Sequence, residues 1–377
     1  MNRDSIEKIY IEPTSRCNFN CDMCPRNVWV DEVIGDMGMT LFLSLMKQAS
    51  EMKALKTVFF GGVAEPMAHE HILDMVKEAK KLGVRVELIS NGSLLDKDSI
   101  EKLLEAGLDF LWYSIDPSHN DSFEELTQES SKQGGMAKAR ENLRHFNVWR
   151  RRNNPDAEFG ITFVAMKSNI QHLPEIINLG QVMGASEVKI SNVIPYSREM
   201  QAEMLYQKSF AMSGFNEDYK VTRRTIIDMP VMDYDQLDTG LLNYILHPMH
   251  TVKMGESMVV RKKGYCRFVD SNSLFIRWDG EVSPCMALLH SSKAYLNDME
   301  RDMKSCSFGN IKTTPLQQIW DSEEYSNFRK RVKEFSFSPC TSCGICKNVE
   351  SNEEDCFGNP FPTCGACLWA EGFAQCP

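Results

Sequence analysis

Thirteen cysteines form two separate groups along the 377-residue chain, and this distribution constrains the fold more than any other feature. Three lie within residues 17–24, none lies between 25 and 265, and ten lie between 266 and 376. Cysteine-rich chains outside oxidising compartments bind metals more often than they form disulfides. The N-terminal stretch MNRDSIEKIY lacks the apolar region of a secretory signal. We therefore expect two metal-binding regions that flank a cysteine-free middle.

The composition indicates a cytoplasmic globular protein, with 42% hydrophobic and 25% charged residues. A net charge of −10 argues against a nucleic-acid partner, because nucleic-acid-binding surfaces carry an excess of basic residues. No apolar run reaches the roughly 18 residues of a membrane span, so we expect no membrane partner either.

Short β-branched or aromatic runs alternate with longer amphipathic stretches in the first 195 residues. The runs predict strands at 8–14, 57–61, 85–90, 110–116, 159–166 and 187–194. The stretches predict helices at 40–54, 71–82, 97–106, 136–152 and 173–183. Strands that alternate with helices indicate an α/β fold with a parallel sheet.

The number of strand–helix units predicts a partial barrel. A closed eight-stranded barrel would need two more units than these six, so we predict a partial (β/α)6 TIM-like barrel over residues 1–196. A doubly wound open sheet is the alternative. Residues 197–262 are rich in methionine and charge without a clean period, and we interpret them as a connecting segment with helical ends.

The remaining residues, 263–377, are predicted to be a loop-rich domain. The Asp279-Gly280 turn between the segments 274–278 and 281–283 predicts a hairpin. One helix is predicted over residues 315–333. The last 40 residues are rich in glycine, proline and cysteine. Such a segment builds no apolar core of its own, so bound metal is expected to organise it.

The first cysteine group is compact and directly follows the first predicted strand. Three residues separate Cys17 from Cys21, and two separate Cys21 from Cys24. Iron–sulfur cubanes are normally held by four thiolates, so a three-cysteine loop leaves one iron open to another ligand. A three-cysteine zinc site and unrelated thiols are the alternatives.

Polar motifs also follow the later strands. Gly61-Gly62-Val63-Ala64-Glu65-Pro66 follows the second strand, Ser90-Asn91-Gly92 the third and Ser114-Ile115-Asp116 the fourth. Together with Cys-x3-Cys-x2-Cys, they make the chain resemble the radical S-adenosylmethionine superfamily over about residues 8–195. The resemblance implies a [4Fe–4S] cluster on Cys17, Cys21 and Cys24. Its open iron binds S-adenosylmethionine, and one-electron reduction then releases a 5′-deoxyadenosyl radical.

The same resemblance implies which residues contact S-adenosylmethionine. Glu65 and the glycines before it are expected at the methionine amino group, and Met23 and the stretch from Asn192 are expected at the adenine. The full set implied to bind the cofactor is Met23, Gly61, Gly62, Glu65, Ser90, Asn91, Ser114, Asp116 and Asn192. Asp116, His119 and His172 are acid/base candidates by position alone.

The later cysteines resemble the SPASM domain, which holds auxiliary iron–sulfur clusters. The spacing of Cys266, Gly280 and Cys285 matches the first part of that domain's cysteine pattern. The last part departs from the usual pattern and contains an extra Cys-x2-Cys. The resemblance implies two auxiliary [4Fe–4S] clusters. Cys266 and Cys285 are implied to hold the cluster nearer the barrel. The more distant cluster, called distal below, is implied to bind Cys340, Cys343 and Cys376. The predicted ligands are Cys266, Cys285, Cys340, Cys343, Cys346, Cys356, Cys364, Cys367 and Cys376, with Cys306 spare. A zinc ribbon is the alternative.

Enzymes of this class act mostly on proteins or peptides. Segments such as 9–14 and 107–112 resemble the maturases of tungsten-dependent aldehyde oxidoreductases, which implies action on such an enzyme or on its cofactor. A low-potential electron donor such as ferredoxin or flavodoxin is implied as well. A ribosomal-peptide or sulfatase-type maturase is one alternative. A non-catalytic iron–sulfur carrier or metal-insertion scaffold is the other, although it would not need the polar motifs after the strands.

Overall fold

A computed structural model describes residues 5–30, 32–116, 136–206, 226–245, 251–254, 264–296, 299–338, 340–341 and 347–377. Its strands are β1 (Lys8–Ile11), β2 (Thr57–Phe60), β3 (Arg85–Ser90), β4 (Phe110–Ser114), β5 (Glu158–Ala165), β6 (Glu187–Asn192), β7 (Ile226–Met229), β8 (Thr251–Met254), β9 (Ser273–Ile276), β10 (Val282–Ser283), β11 (Ser292–Leu296) and β12 (Met299–Met303). The described helices are α1 (Met39–Ala49), α2 (Ile72–Lys80), α3 (Lys97–Glu105), α4 (Met136–Asn153), α5 (Leu173–Met183), α6 (Arg198–Ala202), α7 (Thr239–Ile245), α8 (Arg267–Asp270), α9 (Leu316–Trp320) and α10 (Glu323–Glu334).

The main sheet of the described residues has the strand order β10-β9-β1-β2-β3-β4-β5-β6-β7-β8. Strands β1 to β9 are parallel, and only β10 runs antiparallel to its neighbour. Strands β11 and β12 form a separate hairpin. The predicted α/β class and the partial barrel with parallel strands are confirmed.

Local signals set some of the helix boundaries. Asp96 begins α3 with a capping box, in which its carboxylate accepts from the Ser99 amide while the Ser99 hydroxyl accepts from the Asp96 amide. Gly184 ends α5 in the left-handed conformation, with φ of 74°. All six predicted strands and all five predicted helices of residues 8–194 are present, with ends shifted by a few residues.

The segment 197–262 contains more regular structure than its composition predicts. Strand β7 pairs with β6, and β8 pairs with β7, both parallel, so the sheet continues past the sixth strand. Each of these strands has only four residues, which is too short for a period to show in the sequence. Helices α6 and α7 lie in the same segment.

The C-terminal segment 263–377 contributes directly to the main sheet. Strand β9 pairs in parallel with β1, with Ser273 opposite Lys8, and the predicted hairpin of β9 and β10 is confirmed. The prediction of one helix at 315–333 is wrong. The chain forms α9 and α10 instead, because Ser322 lies between them and caps α10 by accepting from the Tyr325 amide.

The core fills the barrel and the layer between sheet and helices. Aromatic rings pack inside the barrel, where the Tyr10 ring stacks on Phe275 at 4.3 Å and lies 4.9 Å from Phe59. Buried apolar residues of the C-terminal segment, such as Trp320, belong to the same core. Among the described residues, none of the helices has the length and apolar character needed to cross a membrane.

Candidate functional site

The loops that follow the parallel strands line a cavity of about 400 Å³. Because the carboxyl ends of parallel strands meet at one face, residues far apart in sequence converge there. Eleven of the predicted barrel-site residues line it: Cys17, Cys21, Met23, Cys24, Gly62, Glu65, Ser90, Asn91, Ser114, Asp116 and Asn192. Residues of the C-terminal segment close the cavity, among them His290, Arg301, Cys367 and Cys376.

Gly61 is the one predicted barrel-site residue that does not line the cavity. Its amide donates to the Ile11 carbonyl at 2.9 Å, so it continues the pairing of β2 with β1. A Cβ at this position would lie 2.4 Å from the Phe59 ring. Gly61 is therefore explained by packing inside the barrel.

The three cysteines of the first motif lie in a loop with a tight turn. The Cys24 amide donates to the Cys21 carbonyl at 3.0 Å, and Pro25 then begins a 3₁₀ helix, Pro25–Val28. The Phe19 amide approaches the Cys17 sulfur at 3.4 Å. Such N–H donors stabilise a thiolate, which is the form that binds iron.

Two of these thiols, Cys21 and Cys24, have a raised pKa, so both are protonated near neutral pH when no metal balances their charge. Burial raises the pKa of Cys21 to about 12, and the neighbouring Asp116 and Cys24 contribute in the same direction. Burial also raises the pKa of Cys24. Three thiols on one cavity wall match in number a cubane that takes one thiolate on each of three irons, although the described residues contain no ready-formed metal-ligand group.

Glu65 connects two of the loops. Its carboxylate accepts from the Met67 amide at 2.9 Å and from the Asn91 amide at 2.7 Å. The side chain is buried, and burial raises its pKa. Glu65 therefore holds the loop after β2 against the end of β3, in addition to the cofactor contact predicted for it.

Asp116 is the second carboxylate of the cavity wall. Its oxygens accept from the Ser114 hydroxyl at 2.9 Å and from the Val164 amide at 2.6 Å. Burial outweighs these two hydrogen bonds and raises the pKa of Asp116 to about 6. Of the two other acid/base candidates, His119 lies outside the described residues, and His172 lies 3.3 Å from Glu175 rather than in the cavity wall.

Asn192 joins β6 to the C-terminal tail. Its side-chain amide donates to the Phe373 carbonyl at 2.9 Å and to the Val231 carbonyl at 2.8 Å. Its Oδ1 atom is buried with no hydrogen-bond partner among the described residues. A buried unpaired acceptor is costly. This atom is available to a donor such as the amino group of an adenine.

Four cysteines of the C-terminal segment lie close together. The pKa of Cys285 is raised well above its usual value, first by burial and then by the charges of Cys266, Cys367 and Cys364. Cys364 is affected in the same way by Cys367 and Cys266. Interactions of this kind connect Cys266, Cys285, Cys364 and Cys367, and Cys306 also acts on Cys364. Four thiols match the ligand number of a complete cubane, although among the described residues they are not placed as a ready-formed metal site.

The other predicted auxiliary ligands have different surroundings. Burial raises the pKa of Cys340 against the Ser338 hydrogen bond, and the charges of Asp355 and Cys356 add to this effect. Cys376 lines the cavity, and its sulfur accepts from the Trp369 indole N–H at 3.3 Å. Cys343 and Cys346 lie outside the described residues. Cys306 is buried, and its amide donates to the Leu288 carbonyl.

His290 and Arg301 are charged residues of the cavity wall that were not predicted from the sequence. His290 lies between Glu12 and Glu32, and Arg301 bonds to carbonyls of the cysteine-rich loops. Each acts through partners far away along the chain, so no local motif identifies either one. The position of Glu12, directly after β1, was the single signal available.

Comparisons with known proteins agree with this geometry. A family model described as the radical SAM superfamily matches residues 11–179, and one described as an iron–sulfur cluster-binding domain, SPASM, matches residues 266–347. The chain is 32% identical to the tungsten-containing aldehyde ferredoxin oxidoreductase cofactor-modifying protein of Pyrococcus furiosus, over 99% of this chain and 97% of that protein. It is 27% identical to the PqqA peptide cyclase of Gluconobacter oxydans, over 88% and 81% respectively.

Solved structures show the same fold. Native anSMEcpe with bound AdoMet superposes with a TM-score of 0.61 at 16% identity, over 97% of this chain and 95% of that one. Streptococcus suis SuiB bound to precursor peptide SuiA superposes with a TM-score of 0.56 at 13% identity, over 90% and 70%.

Fold and site thus define an enzyme that binds S-adenosylmethionine and an iron–sulfur cluster. The chain belongs to the radical S-adenosylmethionine superfamily, in the group whose members carry a C-terminal SPASM domain with further iron–sulfur cluster binding. When bound, the cluster supplies the electron that cleaves S-adenosylmethionine to a 5′-deoxyadenosyl radical. The residues that line the cavity are the ones that would hold this cofactor.

Proposed function

We propose that this enzyme modifies the cofactor, or the protein, of a tungsten-dependent aldehyde oxidoreductase. The observation that carries the proposal is the 32% identity to the Pyrococcus furiosus cofactor-modifying protein, which extends over nearly the full length of both chains. A match over both the barrel and the cysteine-rich end includes every segment that lines the cavity. Similarity at both ends of the cavity supports a shared class of substrate.

The cofactors are assigned as follows. Cys17, Cys21 and Cys24 hold the [4Fe–4S] cluster whose open iron binds S-adenosylmethionine. Glu65, Asn192 and the polar ends of β3 and β4 then contact S-adenosylmethionine, and their common position on one cavity wall supports this role. Residues 1–196 form the cofactor-binding domain, 197–262 the connection and 263–377 the SPASM domain, although β9 of the last joins the sheet of the first.

Two auxiliary [4Fe–4S] clusters complete the set. The nearer one takes Cys266, Cys285, Cys364 and Cys367, whose mutual proximity supports the assignment. The distal one takes Cys340, Cys343 and Cys346, with Cys356 and Cys376 as alternatives for the fourth thiolate. A cluster whose four irons are all bound by cysteines has no iron open to a substrate. Complete ligation by cysteine therefore favours a role in electron transfer. A ferredoxin or flavodoxin as electron donor and a cytoplasmic setting stay predictions from the sequence.

The test combines metal content with turnover. Anaerobically reconstituted protein is expected to hold about twelve irons, four for each cubane. It should form 5′-deoxyadenosine with dithionite and S-adenosylmethionine, and faster when a tungsten-dependent oxidoreductase made without this enzyme is added. Acceleration by a precursor peptide and not by the oxidoreductase would indicate a peptide maturase. About four irons with bound zinc would indicate a zinc ribbon at the C-terminal end. Many irons without deoxyadenosine would indicate a carrier or scaffold.

A further inference from the structure

Arg301 is a buried cation on a strand whose neighbouring side chains face outward. It lies at the centre of β12 and is 5% exposed, whereas Glu300 and Asp302 are exposed. Arginine is almost never fully buried unless it has a charged partner. This position therefore needs an explanation beyond packing.

The guanidinium connects two segments that carry cysteines. Its Nε donates to the Val349 carbonyl, its Nη1 to the Ala366 carbonyl at 3.3 Å and its Nη2 to the Ser351 carbonyl at 3.3 Å. Val349 and Ser351 lie between Cys346 and Cys356, and Ala366 lies between Cys364 and Cys367. One side chain thus fixes the spacing of two ligand-bearing loops.

The carbonyls satisfy the N–H groups but leave the charge of Arg301 uncompensated. Within the described part of the chain, none of the ion pairs includes Arg301, and the groups that raise its pKa against burial are the thiols Cys340 and Cys367. Burying a cation without a counter-ion costs several kcal/mol. Of these two, Cys367 directly follows Ala366, whose carbonyl accepts from Arg301, so an anion held at Cys367 would compensate the charge.

An iron–sulfur cluster supplies that anion. A cubane core with two positive charges and four thiolates is a dianion, and reduction adds one more negative charge. A cation beside such a cluster stabilises the reduced form more than the oxidised form, which raises the reduction potential.

We propose that Arg301 is the counter-ion of the auxiliary cluster that Cys367 helps to hold, and that it sets the potential of that cluster while fixing the two loops. The inference rests on the proposed SPASM clusters and deepens their assignment. Arg301 is a positioning residue and takes no part in breaking bonds.

The experiment uses full-length protein in which Cys17, Cys21 and Cys24 are replaced by alanine, so that only auxiliary clusters give a signal. Iron content and an EPR-monitored redox titration are measured for this parent, for Arg301→Gln and for Arg301→Lys. Lys304→Gln is the matched control, because it removes an exposed cation, paired with Glu353 at 2.6 Å, three residues further along. Thermal unfolding midpoints are recorded for all four proteins.

Arg301→Gln is expected to lower the equilibrium constant for reduction about tenfold, which is 59 mV for one electron. Arg301→Lys should keep the parental potential, since it retains the positive charge. It should unfold at a lower temperature, since it loses the guanidinium hydrogen bonds to the three carbonyls. Lys304→Gln should match the parent. If Arg301→Gln loses its iron while Lys304→Gln keeps it, the positioning role is supported, and Arg301→Lys still reports the charge effect.

Three outcomes would overturn the inference. Parental potentials and iron content in both Arg301 variants would show that the cation has no such role, with the clusters themselves unaffected. A shift in Arg301→Lys equal to that in Arg301→Gln would show that charge is not the cause. A parent without auxiliary iron would instead refute the cluster assignment of the proposed function, and with it the counter-ion.

Discussion

His290 of the C-terminal segment lies with its Nε2 atom 2.9 Å from Oε1 of Glu12, the residue that directly follows β1. The other ring nitrogen, Nδ1, lies 3.0 Å from Oε2 of Glu32, which follows the cysteine motif. A ring that hydrogen-bonds a carboxylate at each nitrogen is an imidazolium that donates from both. Trp29 stacks on this ring at a centroid distance of 4.2 Å.

This arrangement ties the cluster loop to the C-terminal segment. Glu12 precedes Cys17 and Glu32 follows Cys24, so one imidazolium fixes both ends of the loop that bears the cysteines. Arg277 adds a second cation at 3.5 Å from Glu32. The position of the three thiols therefore depends on residues more than 250 positions away.

Replacing His290 with glutamine should destabilise the protein strongly. The change removes the cation and leaves two carboxylates near each other in a buried site, so we expect a loss of about 3 kcal/mol in the free energy of unfolding. Urea titration of the metal-free protein measures it. His71→Gln is the control, since His71 is 46% exposed beside Glu70 and should cost less than about 0.5 kcal/mol. Equal effects from both variants would contradict the role of His290.

The stability of the metal-free protein should fall as the solution becomes alkaline. Burial lowers the pKa of His290, but the hydrogen bonds and charges of Glu12 and Glu32 outweigh burial and raise it to about 9. A folded-state pKa above the unfolded value of about 6.5 gives stability that is full below pH 6.5 and is lost as the pH rises through about 9. Thermal midpoints between pH 6 and pH 10 test this. The wild type should lose more stability than His290→Gln over that range.

Removing the first cysteine motif should abolish turnover while sparing the other clusters. With Cys17, Cys21 and Cys24 replaced by alanine, we expect the loss of about four irons per chain and of all 5′-deoxyadenosine. The remaining iron should stay, because the C-terminal thiols form separate groups. Iron analysis and chromatographic detection of deoxyadenosine provide the measurement. Loss of all iron would contradict this division of ligands.

Glu65→Ala should weaken the binding of S-adenosylmethionine. The change removes a predicted acceptor for the amino group and frees two loop amides, those of Met67 and Asn91, so a loss of about tenfold is expected, or about 1.4 kcal/mol. Calorimetric titration of the reconstituted protein measures the Kd. Glu70→Ala removes an exposed carboxylate of the same loop, 83% exposed, and should leave the Kd unchanged. An unaltered Kd in Glu65→Ala would refute its role.

The barrel was predictable because its signals are local. Runs of β-branched and aromatic residues predict β1 to β6, and the cysteine spacing predicts the cluster loop. Strands β7 and β8 were missed because four residues carry no detectable period. The break between α9 and α10 was missed because Ser322 is a cap only in the folded chain, where its hydroxyl accepts the Tyr325 amide.

The sequence alone determined the class of chemistry, since three closely spaced thiols after a strand suit few cofactors. It also determined the order of the first six strands. Only the tertiary structure decided that Ser273 pairs beside Lys8, that His290 bridges Glu12 and Glu32, and that Arg301 lies between two cysteine-bearing loops. The physical reason is the separation along the chain of the residues that carry each signal. Periodicity and spacing depend on neighbours along the chain, whereas charge compensation and strand pairing depend on residues that meet only after folding.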